Sequence, residues 1–263
     1  MEKETIQVTE NQTAVGKIYA HAGLSLVVML GATLGVQFLM VFLAKRFTPQ
    51  ATEQAWFVYL TTIIGFYCVG APLFYVMMKK LPTQPQQMQE MKPFDLIRLF
   101  FSGYALVYVC NLITTIVALL ISLAKGSDVI NPLQLQLANG PIWLNFLVVV
   151  VAAPLVEEFV FRKLLYGALR PYGVRSAVLF SALAFGLYHM NLYQILFATV
   201  LGTIFALVVE KTGTIRYSVI LHTMINGFTV VVLPLLMGTD LTDTVRLGLT
   251  GFFIMGIVGL GVI

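Results

Sequence analysis

Eight apolar stretches, each bounded by charge, Pro or Gly, follow one another along the chain: residues 19–44, 56–78, 94–124, 142–169, 175–190, 193–209, 217–237 and 245–263. A helix needs about 20 apolar residues to cross the hydrocarbon core of a bilayer, and most of these stretches reach or approach that length. Composition decides between buried soluble helices and membrane spans. Of the 263 residues 59% are hydrophobic and only 11% charged, against about 25% charged in a soluble domain. So few polar groups cannot cover a water-exposed surface. The expectation is an all-α, polytopic helical membrane protein of about eight transmembrane helices. It divides into a polar N-terminal segment (1–18), a first group of spans (19–141), a core that carries the chemistry (142–232) and a last span (233–263). The first apolar run is long and no small-residue cleavage site follows it, so it is expected to stay in the mature protein.

The 16 Lys and Arg residues set the orientation. If every stretch crosses, one side holds Lys3, Lys17, Lys79, Lys80, Lys92, Arg98, Arg162, Lys163, Arg170, Arg175, Lys211 and Arg216, and the other only Lys45, Arg46, Lys125 and Arg246. The positive-inside rule then places both termini in the cytoplasm. A net charge of +4 spread over short loops forms no basic face, which argues against a nucleic-acid partner. The Gln-rich stretch 81–92 reads as a flexible cytoplasmic linker. Cys68 and Cys110 lie inside apolar runs and read as small core hydrophobes rather than a disulfide or metal pair. His21, four residues after Lys17, reads as interfacial.

Charged groups at bilayer depth cost about 2.5 to 3.5 kcal/mol each even on the lenient insertion scale, so those inside a span need a partner or a task. The fourth stretch carries Glu157-Glu158-Phe159-Val160-Phe161-Arg162 after a dozen apolar residues. Adjacent helical positions point about 100° apart, so the two carboxylates should face different neighbours. Glu158 and Arg162, four apart, are placed to form an intrahelical ion pair, which leaves Glu157 to face something else. The fifth stretch carries Phe185-Gly186-Leu187-Tyr188-His189, and the breakers Arg170-Pro171-Tyr172-Gly173 make the turn between the two. Position 173 is midway between 157 and 189, so two helical arms of equal rise would bring Glu157 and His189 to one level. In the seventh stretch His222 and Asn226 are four apart and share a face. A buried ion-pair network that merely ties helices together would account for one glutamate but not for the second.

These residues resemble the CAAX prenyl protease and bacteriocin-processing superfamily of intramembrane endopeptidases. Its pattern is Glu-Glu-x-x-x-Arg, then Phe-x-x-x-His, then His-x-x-x-Asn or Asp. All three occur in order, at Glu157-Glu158 with Arg162, at Phe185 with His189, and at His222 with Asn226, and the Thr212-Gly213-Thr214-Ile215 lead-in is also family-like. The resemblance spans roughly residues 142 to 232 and is silent about the first three spans. It implies that Glu157 acts as general base on a water, that His189 and His222 polarise water and carbonyl, that Asn226 donates to the oxyanion, and that Glu158 with Arg162 braces the helix beside Phe185. It implies a peptide or lipidated protein substrate met within the lipid of a bacterial or archaeal plasma membrane. A carboxylate taken out of water is a stronger base, and amide and imidazole donors are strong oxyanion partners in a dry site.

Two questions stay open at this level. Glu157, His189 and His222 match the ligand count of a catalytic zinc with water in the fourth position, yet no His-Glu-x-x-His motif is present and a metal-free glutamate mechanism uses the same residues. The same polar centre would also serve a proton-coupled transporter, or a catalytically silent immunity or scaffold protein.

Overall fold

The computed structural model describes residues 2–234, with side chains from residue 13 onward; the eighth apolar run, the end of the seventh and Arg246 lie outside the described residues. Helix α1 runs over Glu2–Phe47. After a 3₁₀ turn at Pro49–Glu53 come α2 (Ala55–Met78) and α3 (Pro93–Lys125), a short α4 (Pro132–Asn139), α5 (Ile142–Tyr172), α6 (Val174–Tyr188), α7 (Leu192–Thr212) and α8 (Arg216–Gly227). Five of these, α1, α2, α3, α5 and α7, are long and apolar enough to cross a bilayer. The chain is an all-α polytopic membrane protein.

Two helices are too short to be full-length spans. Helix α6 has 15 residues, close to the run at 175–190, and rises only about 22 Å, short of the roughly 30 Å core. The short α4 breaks the loop before α5, where Asn131 caps it by accepting from the Gln134 amide. The linker 81–92 is not a free strap either. The Gln89 amide donates to the Thr212 carbonyl at 2.9 Å and Gln86 Nε2 donates to Glu210 at 2.9 Å, which ties it to the end of α7. Its glutamines find hydrogen-bond partners that a composition reading could not foresee.

Several helices widen locally to π geometry: α2 at Ile63–Gly70, α5 at Asn145–Ala152 and Glu158–Tyr166, and the continuation of α8 at Phe228–Val232. Three of the four stop two residues before a proline, namely Pro72, Pro154 and Pro234. Proline cannot donate to the helical ladder and its ring clashes with the carbonyl one turn back; a wider turn relieves that clash within the membrane, where unpaired backbone groups are costly. The fourth, Glu158–Tyr166, has no proline behind it and coincides with the charged motif.

Apolar side chains such as Phe38, Phe42, Leu112, Leu120 and Leu123 point outward, as they do from helices bathed in lipid. Cys68 is also exposed, unlike the core position its sequence context predicts, and only Cys110 is buried. An apolar run buried in lipid does not say which of its faces meets protein. His21 reaches inward, with Nε2 3.1 Å from the Met77 carbonyl. Because lipid gives no hydrophobic drive between helices, small residues and close backbone packing hold the bundle. Helix α7 is its centre, packed on α6, α3 and α8.

Candidate active site

The charged motif lies in the widened part of α5. Glu158 and Arg162 are fully buried and form the ion pair expected from their spacing, with Arg162 Nε 3.4 Å from Glu158 Oε2. Glu157 keeps 16% of its side chain exposed. The expectation that the two glutamates face different neighbours is corrected, since both reach one imidazole. His222 Nδ1 donates to Glu158 Oε1 at 3.2 Å, and its Nε2 lies 3.8 Å from Glu157 Oε2. The ring nitrogens point in different directions, so an imidazole inserted from α8 can meet two side chains that diverge from α5.

Aromatic rings fix this arrangement. Phe205 of α7 stacks on His222 with centroids 4.8 Å apart and planes 23° apart, and Phe185 meets His222 edge-on at 5.8 Å. The Arg162 guanidinium lies 4.3 Å from the Phe185 ring centroid, 5.4 Å from Phe205 and 5.9 Å from Phe161. A cation over desolvated ring faces is stabilised by about 2 kcal/mol or more, which matters here because none of the Arg162 nitrogens has a hydrogen-bond partner. Gly202 of α7 makes the room. A Cβ there would stand 3.1 Å from Arg162 Nη2, from the Ala182 Cα and from the Phe185 ring.

His189 caps the end of α6, and its Nδ1 donates to the Phe185 carbonyl at 2.8 Å while its ring meets Phe185 edge-on at 4.9 Å. Phe185 thus packs against both histidines. Asn226 donates through Nδ2 to the Val149 carbonyl of α5 at 2.9 Å. Among the described residues no hydrogen bond or ion pair joins His189 or Asn226 directly to Glu157. Two further helices border the site. Tyr188 meets Thr33 of α1 at 3.1 Å, and Tyr188 and Tyr67 of α2 both lie within electrostatic reach of Glu157. Phe205, Gly202, Tyr67 and Thr33 carry no sequence signal, because each looks like ordinary membrane-helix filler until the helices are assembled. Tyr188 is adjacent to His189 and could have been noticed.

The hydrogen bonds decide what each group can do. Carbonyl and carboxylate oxygens only accept, so His189 and His222 each carry a proton on Nδ1 and, when neutral, present Nε2 as a lone pair. Glu158 orients one imidazole and Phe185 the other. The His222 Nε2 lone pair and Glu157 Oε2, 3.8 Å apart, are two acceptors suited to holding a water by its two protons. Asn226 keeps one amide N–H beyond the one given to Val149. Those nitrogens would also suit a metal, but among the described residues no three His, Cys, Asp or Glu side chains converge closely enough to hold one. The zinc arrangement does not fit these side chains as they stand.

Fold and site together define the class, an all-helical polytopic membrane protein with a carboxylate and imidazole centre enclosed by aromatic rings between α5, α6, α7 and α8. Residues 139–228 match the family model for type II CAAX prenyl endopeptidase, Rce1-like, the stretch that carries all three motifs. The chain is similar to the putative membrane peptidase YdiL of Bacillus subtilis (strain 168), 34% identical over 89 residues that cover 34% of this chain and 36% of the relative. It is also similar to the membrane-embedded CAAX protease MroQ of Staphylococcus aureus (strain USA300), 30% identical over 140 residues that cover 49% of this chain and 55% of the relative. The chain thus spans between about a third and a half of the length of these curated relatives. No solved structure gives a significant match.

Proposed function

We propose that this protein is a membrane endopeptidase that hydrolyses a peptide bond of a membrane-associated or lipidated peptide without a metal ion. The observation that carries this reading is the single imidazole of His222 held between two glutamates, one fully buried and one partly open. A purely structural pair has no use for the open carboxylate. In the proposed reaction Glu157 Oε2 takes a proton from a water whose other proton is held by the bare Nε2 of His222 or His189. The water oxygen attacks the carbonyl carbon, and the oxyanion is met by the remaining Asn226 N–H. Glu157 then returns the proton to the leaving nitrogen as the C–N bond breaks. Glu158 and Arg162 take no part in the proton transfers; they hold His222 in its tautomer and rotamer. The excess of positive charge on one set of loops supports an orientation with both termini in the cytoplasm.

The test compares the peptides in membranes carrying wild-type protein with those carrying Glu157→Gln, which preserves shape and removes the base. A cleavage product that disappears with Glu157→Gln, and persists when a zinc chelator is added to wild type, supports the reading. An identical peptide pattern with Glu157→Gln overturns it and leaves the scaffold reading. Loss of cleavage on chelation removes the metal-free mechanism alone.

A further inference from the structure

A groove of about 470 Å³ lies between α3 and α7, away from the site. The two helices pack closely at Gly103, where an added Cβ would touch Leu201 at 3.4 Å and Ile204 at 3.8 Å. The groove lies beyond that contact, toward the N-terminal end of α3 and the C-terminal end of α7. Its walls are mostly apolar, with Met91, Leu99, Ile204, Leu207 and Val208 beside Ser102, and its charged lining is Asp95, Arg98 and Lys211. Residues 204, 207, 208 and 211 form one stripe on α7, distinct from Phe205, which stacks on His222.

Arg98 is only half-buried and Lys211 is exposed. Among the described residues neither side chain makes an ion pair or hydrogen bond. The groove therefore offers two unengaged cations beside one carboxylate, along mostly apolar walls. The surrounding end of the bundle adds Lys79, Lys80, Lys92, Arg170, Arg175 and Arg216, so it faces an anionic membrane surface favourably.

We propose that this groove binds one anionic phospholipid, its acyl chain along Leu99, Ile204 and Leu207, its phosphate on Arg98 and Lys211, and a head-group hydroxyl donating to Asp95. Charge complementarity at the charged lining and the apolar walls beside it select an anionic lipid over a zwitterionic one and over a soluble anion, which would leave the walls bare. The inference does not depend on the peptidase reading.

The test uses the full chain in nanodiscs with Trp56→Phe and Trp143→Phe to remove the native indoles, and Leu207→Trp as reporter; Leu207 is 51% exposed, so the larger ring has space. Phosphatidylglycerol or phosphatidylcholine with brominated acyl chains is titrated and the indole quenching is read. Half-quenching should need several-fold less phosphatidylglycerol than phosphatidylcholine. The exposed Lys211→Gln should weaken that preference about fivefold, from about 1 kcal/mol per basic residue near an anionic surface, and adding Arg98→Gln should abolish it. Lys45→Gln at the other end of the bundle should leave it unchanged. Equal quenching by the two lipids, a preference undiminished in Lys211→Gln, or quenching relieved by millimolar inorganic phosphate as readily as by unbrominated lipid would each overturn the proposal.

Discussion

Two arginine–glutamate pairs, one within α5 and one joining α5 to α7, differ in almost every physical respect. Arg170 and Glu210 meet near the end of the bundle with about a quarter of each side chain exposed. Their contact is bidentate, Arg170 Nε to Glu210 Oε2 at 2.5 Å and Nη2 to Oε1 at 3.0 Å. Tyr166 and Gln86 donate to the same carboxylate. Glu158 and Arg162 are wholly buried, meet at 3.4 Å, and leave Glu158 Oε2 and the Arg162 nitrogens without hydrogen bonds. The outer pair has the geometry of a clamp, joining α5, α7 and the linker. The inner pair is a poor clamp, because desolvating two charges costs several kcal/mol per ion and the hydrogen bonds that would offset it are missing. Its surplus bonding capacity is turned toward His222 and the aromatic box, which is the organisation of a site rather than of a joint.

Mutations should separate the two pairs. Glu157→Gln should lower cleavage about 10²- to 10⁴-fold, the usual contribution of a general base, with unchanged yield and melting temperature. A loss of folding instead would make Glu157 a structural residue like Glu210. Arg162→Ala should destabilise the detergent-solubilised protein by about 3 to 5 kcal/mol, since it strands Glu158 as a buried charge. Thermal unfolding measures this, and a change under about 1 kcal/mol would mean that the inner pair is energetically no different from the outer one. Gly202→Ala should cost about 1 to 3 kcal/mol through overpacking against Arg162, Ala182 and Phe185, and should reduce activity because His222 rests on the same cluster. Glu210→Gln should be mildest, about 1 kcal/mol or less for a partly exposed pair, with cleavage retained and faster proteolysis of residues 81–92 as the sign that the linker has come loose.

Much of the architecture was legible because the bilayer punishes polar residues. The apolar runs at 56–78 and 193–209 became α2 and α7 with ends shifted by a few residues, and the turn at 170–173 stands where the breakers put it, with Gly173 at φ 140°. The run at 175–190 became a shorter helix than a spanning one because Met190 takes a left-handed conformation, φ 48°, and Asn191 caps the next helix by accepting from the Tyr193 amide. The apolar runs mark the position of that break but not the backbone conformation that makes it. The linker was misread for a similar reason, since its partners Glu210 and Thr212 belong to a helix more than a hundred residues later.

The spacing of Glu158 and Arg162 announced their pairing, because residues four apart share a helix face, and they do so even where α5 widens. The family pattern picked out Glu157, His189, His222 and Asn226 as a set. What the linear order could not contain is that one imidazole stands between both glutamates, that Phe205 and Gly202 shape the space around His222 and Arg162, or that Tyr67 and Thr33 from the first two helices border the same centre. Sequence by itself determines which side chains the membrane should not tolerate and which neighbours lie one turn away. Only the packing of α5 against α8 and α7 decides which distant groups share a desolvated space, because that depends on where small residues let backbones approach and where large rings hold them apart.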